Sequence, residues 1–414
     1  MISRRALLGS AAGAAVLGAQ AARRPNVLLF ATDQETALLP GPVRVPNRDK
    51  LIAEGTRFTH AFCNTPQCSP ARAALLTGLY PHNAGVRTNV DGSSLGKALA
   101  AGTPTLGSVF AGAGYETAWF GKWHLGPNHT GFQTFLEAGD ERAVKAAGDW
   151  LGGRSGKPWL CCVSVLDPHH VYDVPGARKP ATVELRPGVK APASGLENLV
   201  GKPPEQRAFV DQDQGRLTRD FTKDDWLRYR SYYLGLVEKT DGLLGRVLDA
   251  AGPLDNTVVA YTTDHGDMVG EHGLSYKGPF MYDELLRIPL ILRVPGKAAF
   301  PRGGTRDDLT TQADLGPTLA AAAGVAWPGK VDGRDLARDR KGPDAVFLEY
   351  YSKQKWVNPI RTVRTKHWKL NWYDSGQREV YDLEQDPHEL RNLAGKAKVE
   401  ADLARRIDAW WPRG

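Results

Sequence analysis

The sequence is poor in cysteine, in clustered charge and in long apolar runs. Four cysteines in 414 residues are too few to form the disulfide scaffold of a chain this long. The 53 basic residues are scattered and form no long run, which argues against nucleic acid as a partner. The apolar stretch at the N-terminus is too short and too weakly hydrophobic for a spanning helix, so we expect no stable membrane insertion.

What is present is the composition of a soluble globular protein, with 42% hydrophobic and 24% charged residues. The length allows a large core and suggests more than one structural unit. A formal net charge of +7 suits an anionic small-molecule substrate.

Residues 1–22 have the features of an export signal. A pair of arginines at 4–5 precedes a short run rich in alanine and glycine, and residues 19–21 read Ala-Gln-Ala, an A-x-A cleavage site. The paired arginines are similar to those of bacterial twin-arginine signals, which the twin-arginine export machinery reads. An uncleaved N-terminal anchor is the alternative. We expect an exported protein, in the bacterial periplasm or outside the cell.

Buried strands alternate with helices along the mature chain. Continuous apolar runs, typical of strands in a parallel sheet, occupy residues 26–32, 160–166, 257–263 and 289–294. Helical patterns lie between these runs at residues 47–54, 69–76, 105–113 and 226–250. This alternation predicts an α/β fold with a mostly parallel central sheet flanked by helices.

Two later regions follow different patterns. Residues from about 175 to 214 are rich in proline, glycine and charge without clear periodicity, which predicts a long surface excursion. From about residue 344, short strand patterns at hairpin spacing lead to an amphipathic stretch at 397–411, which predicts a small antiparallel sheet with a terminal helix. We therefore expect a catalytic domain at 23–340 and a C-terminal α+β subdomain at 341–414.

Four separated segments carry residue types that suit catalysis. Two of them follow predicted strands, where parallel sheets place their functional groups. They read Thr-Asp-Gln at 32–34 and Thr-Asp-His-Gly-Asp at 263–267. The other two segments are Cys-Ser-Pro-Ala-Arg at 68–72 and the patterns Gly-Tyr-Glu-Thr and Gly-Lys-Trp-His within 114–124. An aspartate taken alone would be a strand-end cap, whereas the combination indicates an active site.

In this order, the four segments resemble type I sulfatases of the alkaline-phosphatase-like superfamily, and the resemblance covers nearly the whole mature chain. The C-x-P-x-R pattern of Cys68, Pro70 and Arg72 is similar to the family's maturation signal, in which a formylglycine-generating enzyme oxidises the cysteine. The segment at 114–124 is similar to the family's second signature. The resemblance implies an alkaline-phosphatase-like fold, a formylglycine at position 68 and hydrolysis of a sulfuric ester.

The resemblance also implies a site for one divalent cation. Asp33, Gln34, Asp264 and His265 would supply protein ligands, and the formylglycine made from Cys68 and a sulfate oxygen would complete the set. Hard oxygen donors favour Ca²⁺. Many relatives carry a second acidic residue at the position of Gln34, and some carry asparagine at that of His265. Since this chain's site is less negative and has a nitrogen donor, Mn²⁺ or another divalent metal stays open.

Three cationic side chains match the family's catalytic residues. Arg72 lies one helical turn after the nucleophile, where it would orient the nucleophile and neutralise charge. Lys122 and Lys277 would bind sulfate oxygens whose charge changes in the transition state.

Two histidines complete the catalytic set that the resemblance implies. His124 would contact the formylglycine hydroxyl and act as the base that regenerates the aldehyde. His169 would donate a proton to the leaving oxygen, alone or together with Lys277. The position of His169 directly after a proline favours it over His170.

The leading hypothesis is an exported, formylglycine-dependent sulfatase that acts on a sulfated small molecule or glycan, with a carbohydrate sulfate preferred to an aryl sulfate. Relatives that hydrolyse phosphonate monoesters or phosphodiesters carry similar Asp-Gln and Asp-His pairs, so such a hydrolase is the first alternative. The second alternative is a non-catalytic protein that binds sulfated glycans, in which Cys68 is never oxidised.

Overall fold

The computed structural model describes residues 24–411 apart from 92–95, 128, 130, 155, 177–178 and 354–355, so the predicted export signal lies outside the described residues. Within them are fourteen strands and ten α-helices. The strands are β1 (Asn26–Asp33), β2 (Thr56–Phe58), β3 (Ala61–Phe62), β4 (Glu116–Gly121), β5 (Thr134–Leu136), β6 (Trp159–Pro168), β7 (Thr257–Thr263), β8 (Leu290–Arg293), β9 (Gly304–Arg306), β10 (Thr310–Thr311), β11 (Val346–Lys353), β12 (Trp356–Arg364), β13 (Trp368–Tyr373) and β14 (Arg378–Asp382). The helices are α1 (Pro46–Glu54), α2 (Cys68–Thr77), α3 (Pro81–Ala84), α4 (Leu106–Gly112), α5 (Asp140–Gly152), α6 (Pro204–Gln212), α7 (Lys223–Ala251), α8 (Asp283–Leu286), α9 (Leu315–Ala322) and α10 (Glu400–Trp410).

The central sheet has eight strands in the order β5-β4-β6-β1-β7-β8-β2-β9. The five strands from β5 to β7 are parallel to one another. β8 runs antiparallel to β7, and β2 runs antiparallel to β8. This arrangement confirms the predicted α/β fold with a mostly parallel sheet, and it places β1 between β6 and β7.

The sheet is buried on both faces because its inner strands are apolar along their whole length. Alternate residues of β1 enter opposite layers, with Val27 and Leu29 in one and Leu28 and Phe30 in the other. Buried side chains of α2, α4 and α9 fill the first layer, and those of α1, α5 and α7 fill the second. The carboxyl ends of β1 and β7 therefore meet at one edge of a rigid three-layer core.

The four predicted apolar runs are strands β1, β6, β7 and β8, and the four predicted helical patterns are α1, α2, α4 and α7. The prediction omitted α3, α5, α8 and α9, and it was wrong about part of the excursion at 175–214. This region contains short 3₁₀ turns and α6, whose Gln206, Phe209 and Val210 are buried. No helix among the described residues is long and apolar enough to cross a membrane.

The C-terminal part forms the predicted antiparallel sheet, in the order β11-β12-β13-β14. Helix α10 buries Leu403 and Ile407 against one face of this sheet, where they meet Val363, Leu370 and Val380. The sheet and the terminal helix confirm the predicted architecture. The exact boundary between 340 and 341 stays a prediction.

A buried group of charges, which we call the junction cluster, joins this sheet to the rest of the chain. It consists of Asp283, Arg364, Lys369 and Glu389. The Asp283 carboxylate accepts hydrogen bonds from Arg364 Nη2 at 3.0 Å and from Lys369 Nζ at 2.9 Å. Lys369 Nζ also lies 2.6 Å from Glu389 Oε1, and Glu389 Oε2 accepts the Asp283 backbone N–H at 2.7 Å. Two acids and two bases thus pair within one buried interface.

Candidate active site

Two buried aspartates mark the edge where β1 and β7 end. Asp33 is the last residue of β1 and Asp264 directly follows β7, so the parallel pairing of these strands brings the carboxylates together. Both residues are fully buried. Asp264 Oδ1 accepts the backbone N–H groups of Gln34 at 3.0 Å and His265 at 2.9 Å. The turn after β1 gives Gln34 a φ of 70°, a left-handed conformation that suits this hydrogen bond.

Cys68 is the first residue of α2, and every residue of this helix is buried. Its Sγ lies 3.3 Å from His265 Nε2 and 3.0 Å from Lys277 Nζ. Ligand atoms of Asp33, Cys68, Asp264 and His265 all lie within 4.8 Å of one another. The structure thus brings together residues that are up to 232 positions apart in the sequence, as Asp33 and His265 are (265 − 33).

Arg72 joins the two aspartates. Its Nη2 donates to Asp33 Oδ2 and its Nε donates to Asp264 Oδ2, both at 3.0 Å. Its Nη1 donates to the Lys122 carbonyl at 2.9 Å and to Ser164 Oγ at 2.7 Å. The sequence placed Arg72 at the site, and the structure shows it as a bridge between carboxylates. Ser164, which sequence reasoning missed, carries no motif that could have identified it.

The charges of the site shift the pKa values of its members. Burial and Asp33 oppose ionisation of Cys68, but Lys122, Lys277 and His265 outweigh them and lower the pKa of the thiol well below its usual value. Burial also opposes ionisation of Asp33, yet neighbouring cations hold the pKa of its carboxyl well below the ordinary range. These cations favour an anion at position 68.

Burial and neighbouring charges also shift the pKa values of Asp264 and Lys277. Burial and the adjacent charge of Asp33 raise the pKa of Asp264. Burial favours the neutral form of Lys277, but Cys68, Asp33 and Asp264 together raise its pKa. Lys277 is therefore a protonated amine in a buried site.

Gln34 is held by groups on both sides of its amide. Its Oε1 accepts from Lys277 Nζ at 2.8 Å, and its Nε2 donates to Asp267 Oδ2 at 2.6 Å. Asp267 in turn accepts from the Tyr229 hydroxyl at 3.1 Å and from the Val269 backbone N–H at 2.7 Å. Sequence reasoning assigned no role to Asp267, although it is the second aspartate of the segment at 263–267. It fixes the orientation of the Gln34 amide.

The segment after β4 supplies Lys122 and His124. Lys122 Nζ forms an ion pair with Asp33 Oδ2. The His124 carbonyl accepts from Ser69 Oγ at 2.6 Å, which ties this segment to the residue after Cys68. His124 Nδ1 is buried and has no hydrogen-bond partner among the described residues. The structure therefore brings the backbone of His124 to α2, and the predicted contact between its ring and position 68 stays a prediction.

The two consecutive histidines at 169–170 have different surroundings. His169 stacks on Tyr172, with 4.7 Å between ring centroids, and Tyr172 stacks on Tyr276 at 3.9 Å. Burial lowers the pKa of His169 to about 3; the charge of Asp33 opposes this shift, and Lys277 adds to it. The charges of Asp33 and Lys277 therefore act on His169.

His170 turns away from these residues. Its Nδ1 lies 2.5 Å from Asp167 Oδ1, and Asp167 Oδ2 also accepts from Lys239 Nζ at 2.7 Å. The His170 side chain is 43% exposed. This geometry favours His169 as the histidine of the site.

The donors present fit a divalent cation. Asp33 Oδ1 is buried and has no hydrogen-bond partner among the described residues, and an orphaned carboxylate oxygen is costly unless a cation meets it. Asp264, His265 and position 68 contribute further donors to the same group. Carboxylate oxygens together with an imidazole nitrogen are ligand types that hold divalent cations.

Comparisons with known proteins identify the family of this chain. The sequence profile of the family described as Sulfatase matches residues 25–325, and the profile described as N-sulphoglucosamine sulphohydrolase, C-terminal, matches residues 270–409. The chain is 31% identical to an uncharacterized sulfatase, YidJ, of Escherichia coli, over 94% of this chain and 86% of that protein. It is 28% identical to a Δ4,5-hexuronate-2-O-sulfatase of Bacteroides thetaiotaomicron, over 95% of this chain and 89% of that protein.

Two solved structures have the same fold. A 2-O GAG sulfatase superposes with a TM-score of 0.82 at 24% identity, covering 94% of this chain and 91% of that chain. A phosphonate monoester hydrolase of Agrobacterium radiobacter superposes with a TM-score of 0.77 at 24% identity, covering 93% of this chain and 94% of that chain. The fold thus supports more than one chemistry, whereas the match in sequence is to sulfatases. The chain belongs to the sulfatase family and is a sulfuric ester hydrolase.

Proposed function

We propose that this protein hydrolyses a carbohydrate sulfate to an alcohol and inorganic sulfate, with a formylglycine made from Cys68 as nucleophile and one divalent cation as cofactor. The observation that carries the proposal is the position of Cys68. Its sulfur lies within hydrogen-bond distance of Lys277 and His265, beside two buried carboxylates. A buried thiol with a purely structural role does not need two basic side chains and two carboxylates around it.

The cation would be held by Asp33, Gln34, Asp264, His265 and the residue at position 68. When bound, it lowers the pKa of a coordinated hydroxyl and draws charge from the sulfuryl group. Gln34 would take part through Oε1, the atom that now accepts from Lys277. Ca²⁺ is the expected ion, with Mn²⁺ as the alternative.

Hydrated formylglycine would supply an oxygen nucleophile. After sulfate transfer, this oxygen would leave with the sulfate as the aldehyde re-forms. The sulfur of Cys68 stands where that oxygen would lie. Lys122 and Lys277 surround this position, and each well-placed cation contributes about 3 kcal/mol to transition-state stabilisation. Arg72 keeps the two aspartates in place through its hydrogen bonds to both carboxylates. Arg72 thus positions the two carboxylates without itself reacting.

Proton transfer falls to three groups. His169 or Lys277 gives a proton to the leaving alcohol, and the negative charge of a bound sulfate would raise the pKa of His169 from its low value. His124, with a buried Nδ1 that has no partner among the described residues, acts as base when the aldehyde is regenerated.

The carbohydrate class rests on the relatives. The hexuronate-2-O-sulfatase and the 2-O GAG sulfatase each match more than nine-tenths of this chain. A mature exported protein, made together with a formylglycine-generating enzyme and carried by the twin-arginine machinery, completes the proposal.

The first experiment is mass analysis of the tryptic peptide from Phe58 to Arg72. We expect formylglycine in place of cysteine in protein produced with a formylglycine-generating enzyme, and 4-nitrophenyl sulfate hydrolysis in proportion to the modified fraction. Unmodified Cys68 in fully active protein would contradict the proposed nucleophile.

A phosphonate monoester hydrolase is the second candidate, since Gln34 and His265 make the metal site less negative than one with an additional acid. Rates on 4-nitrophenyl sulfate and 4-nitrophenyl phenylphosphonate separate the two activities. A kcat/KM higher for the phosphonate would reverse the order of the candidates.

A further inference from the structure

A cavity of about 610 Å³ lies between the C-terminal subdomain and the chain that follows α3. We call it the side pocket. Its volume is within the range of small-molecule sites, about 300–1,000 Å³. Its lining residues include Arg87, Tyr351, Arg361, Trp372, Asp374 and Trp411. The chemistry proposed above uses none of them.

Two arginines in the side pocket stack on aromatic rings. Arg87 Cζ lies 5.7 Å from the ring centroid of Tyr351, and Arg361 Cζ lies 4.5 Å from that of Trp411. Stacking fixes the plane of a guanidinium while its N–H edge stays available. A planar edge of this kind donates two parallel hydrogen bonds to an oxyanion such as a carboxylate or a sulfate.

These arginines have donors that the fold leaves unused. Arg87 is exposed and forms no ion pair with a carboxylate of the described residues. Arg361 has an ion pair with Asp374 at a long 3.6 Å, and Asp374 is itself 60% exposed. Arg361 Nε is buried without a hydrogen-bond partner in the described part of the chain. A buried donor without a partner is costly, and a ligand oxygen would satisfy it.

Aromatic rings give the side pocket flat apolar walls beside these donors. Trp372 and Trp411 are both half-buried. Arg378 covers Trp372 at 4.2 Å from its ring centroid, and it is not among the lining residues. Apolar faces next to a few fixed polar groups are typical of sites that bind amphipathic ligands such as sugars.

Two short chain segments connect the side pocket to the catalytic centre. Two residues after Arg87, Asn89 Oδ1 accepts the backbone N–H of Ser69 at 3.0 Å, next to Cys68. Two residues after Tyr351, Lys353 Nζ donates to the Lys277 carbonyl at 3.1 Å. These two hydrogen bonds link the chain at the near wall of the side pocket to the segments that carry Cys68 and Lys277.

We propose that the side pocket is a subsite for an anionic saccharide, namely a further sugar of the chain that carries the ester. Arg87 and Arg361 bind its carboxylate or second sulfate, and the tryptophans pack against its ring. This inference rests on the proposed function, because it assumes a carbohydrate sulfate as substrate. It adds that the enzyme recognises at least two sugars of an acidic chain.

The test measures binding directly, so that it stays readable if turnover fails. A heparin-derived tetrasaccharide is titrated calorimetrically into mature wild-type protein and into the variants Arg87→Ala, Arg361→Ala and Arg154→Ala. Arg154 is the matched control, since it stacks on Trp150 at 4.8 Å from the ring centroid and neither residue lines the side pocket. The KM for 4-nitrophenyl sulfate, which is too small to reach the side pocket, is measured for each variant.

We expect a tetrasaccharide Kd at least tenfold higher in both Arg87→Ala and Arg361→Ala, with the aryl sulfate KM unchanged and the tetrasaccharide Kd of the Arg154→Ala control equal to that of the wild type. Arg87 is exposed, so its variant keeps the test valid if Arg361→Ala fails to fold. No binding to the wild type, equal binding by wild type and both variants, or a parallel loss for the aryl sulfate would overturn the subsite. A wild type that binds the tetrasaccharide but hydrolyses no sulfate would instead refute the proposed function alone.

Discussion

The molecule contains two buried groups of charges that differ in how completely their charges are paired. In the junction cluster, two carboxylates meet two cations, and each charge has a partner of the other sign. In the active site, Arg72, Lys122 and Lys277 outnumber the carboxylates of Asp33 and Asp264. One carboxylate oxygen of Asp33 has no hydrogen-bond partner among the described residues, whereas Lys277 bonds to neutral or sulfur acceptors.

The difference shows how burial can serve either stability or chemistry. A balanced buried pair is costly to break, because removal of one partner leaves the other charge unsolvated. A buried group whose charges are not all paired is instead suited to bind an anion and a cation. The junction cluster should therefore control stability and the active site should control rate, and substitutions can separate these two effects.

The largest effect should come from Cys68→Ala. We expect kcat/KM for 4-nitrophenyl sulfate to fall on the order of 10⁴–10⁶-fold, because the substitution removes the proposed nucleophile. The melting temperature should change little, since alanine fits at the start of a helix that already buries alanines. A thermal melt and steady-state kinetics check both parts. A melting temperature lowered as far as that of a junction variant would remove the distinction between the two regions.

The opposite pattern should come from Asp283→Asn in the junction cluster. Loss of this carboxylate leaves Arg364 and Lys369 without their shared partner, which should lower the free energy of unfolding by about 3–5 kcal/mol. Urea denaturation measures it. Asp307→Asn is the matched control, because Asp307 pairs with Lys366 at an exposed site and its loss should cost less than about 1 kcal/mol. The kcat of the folded fraction should stay unchanged in both variants.

A smaller and more selective effect should separate the two consecutive histidines. His169→Ala should lower kcat by about 10²–10⁴-fold if this residue transfers the proton. His170→Ala removes a half-exposed contact with Asp167 and should leave kcat within a few-fold of the wild type. Steady-state kinetics on substrates with good and poor leaving groups check this, since a lost acid matters most for poor leaving groups. Equal losses in the two variants would contradict the assignment.

The smallest effect should come from Lys353, whose Nζ donates to the Lys277 carbonyl beside the active site. Burial is the main cause that lowers its pKa to about 8, with Asp213 opposing and Lys277 adding. Since the unfolded chain keeps this proton up to about pH 10.4, the free energy of unfolding should rise with pH between about 8 and 10 by about 1–3 kcal/mol. Denaturation of wild type and Lys353→Met across this range isolates the contribution, and parallel curves would refute it.

The sequence predicts the sheet and its functional edge well for physical reasons. Apolar runs that are continuous in sequence are buried strands, and Asp33 and Asp264 follow two of them directly. Asp267 and Ser164 escaped prediction because their roles depend on contacts with Gln34 and Arg72, which come from distant parts of the chain. The same holds for the junction cluster, whose charges look like ordinary surface residues in the sequence.

Five helices, α3, α5, α6, α8 and α9, escaped prediction, and the two longest of them did so for different reasons. Helix α6 lies in a region rich in proline and glycine, where the local sequence argues against a helix. Packing of Phe209 and Val210 against the rest of the chain overrides that local preference. Helix α5 has an ordinary amphipathic pattern that closer reading of the sequence would have found.

Because α2 is completely buried, the proposed oxidation of Cys68 competes with folding of this segment. Cys68 and Arg72 are each only 2% exposed, so an oxidising enzyme can reach the proposed maturation signal only while this segment is unfolded. Under the proposed function, the active fraction of a preparation would depend on how fast oxidation is relative to folding, and protein that folds first would keep the thiol. Adding the maturation enzyme to folded protein should then leave its specific activity unchanged.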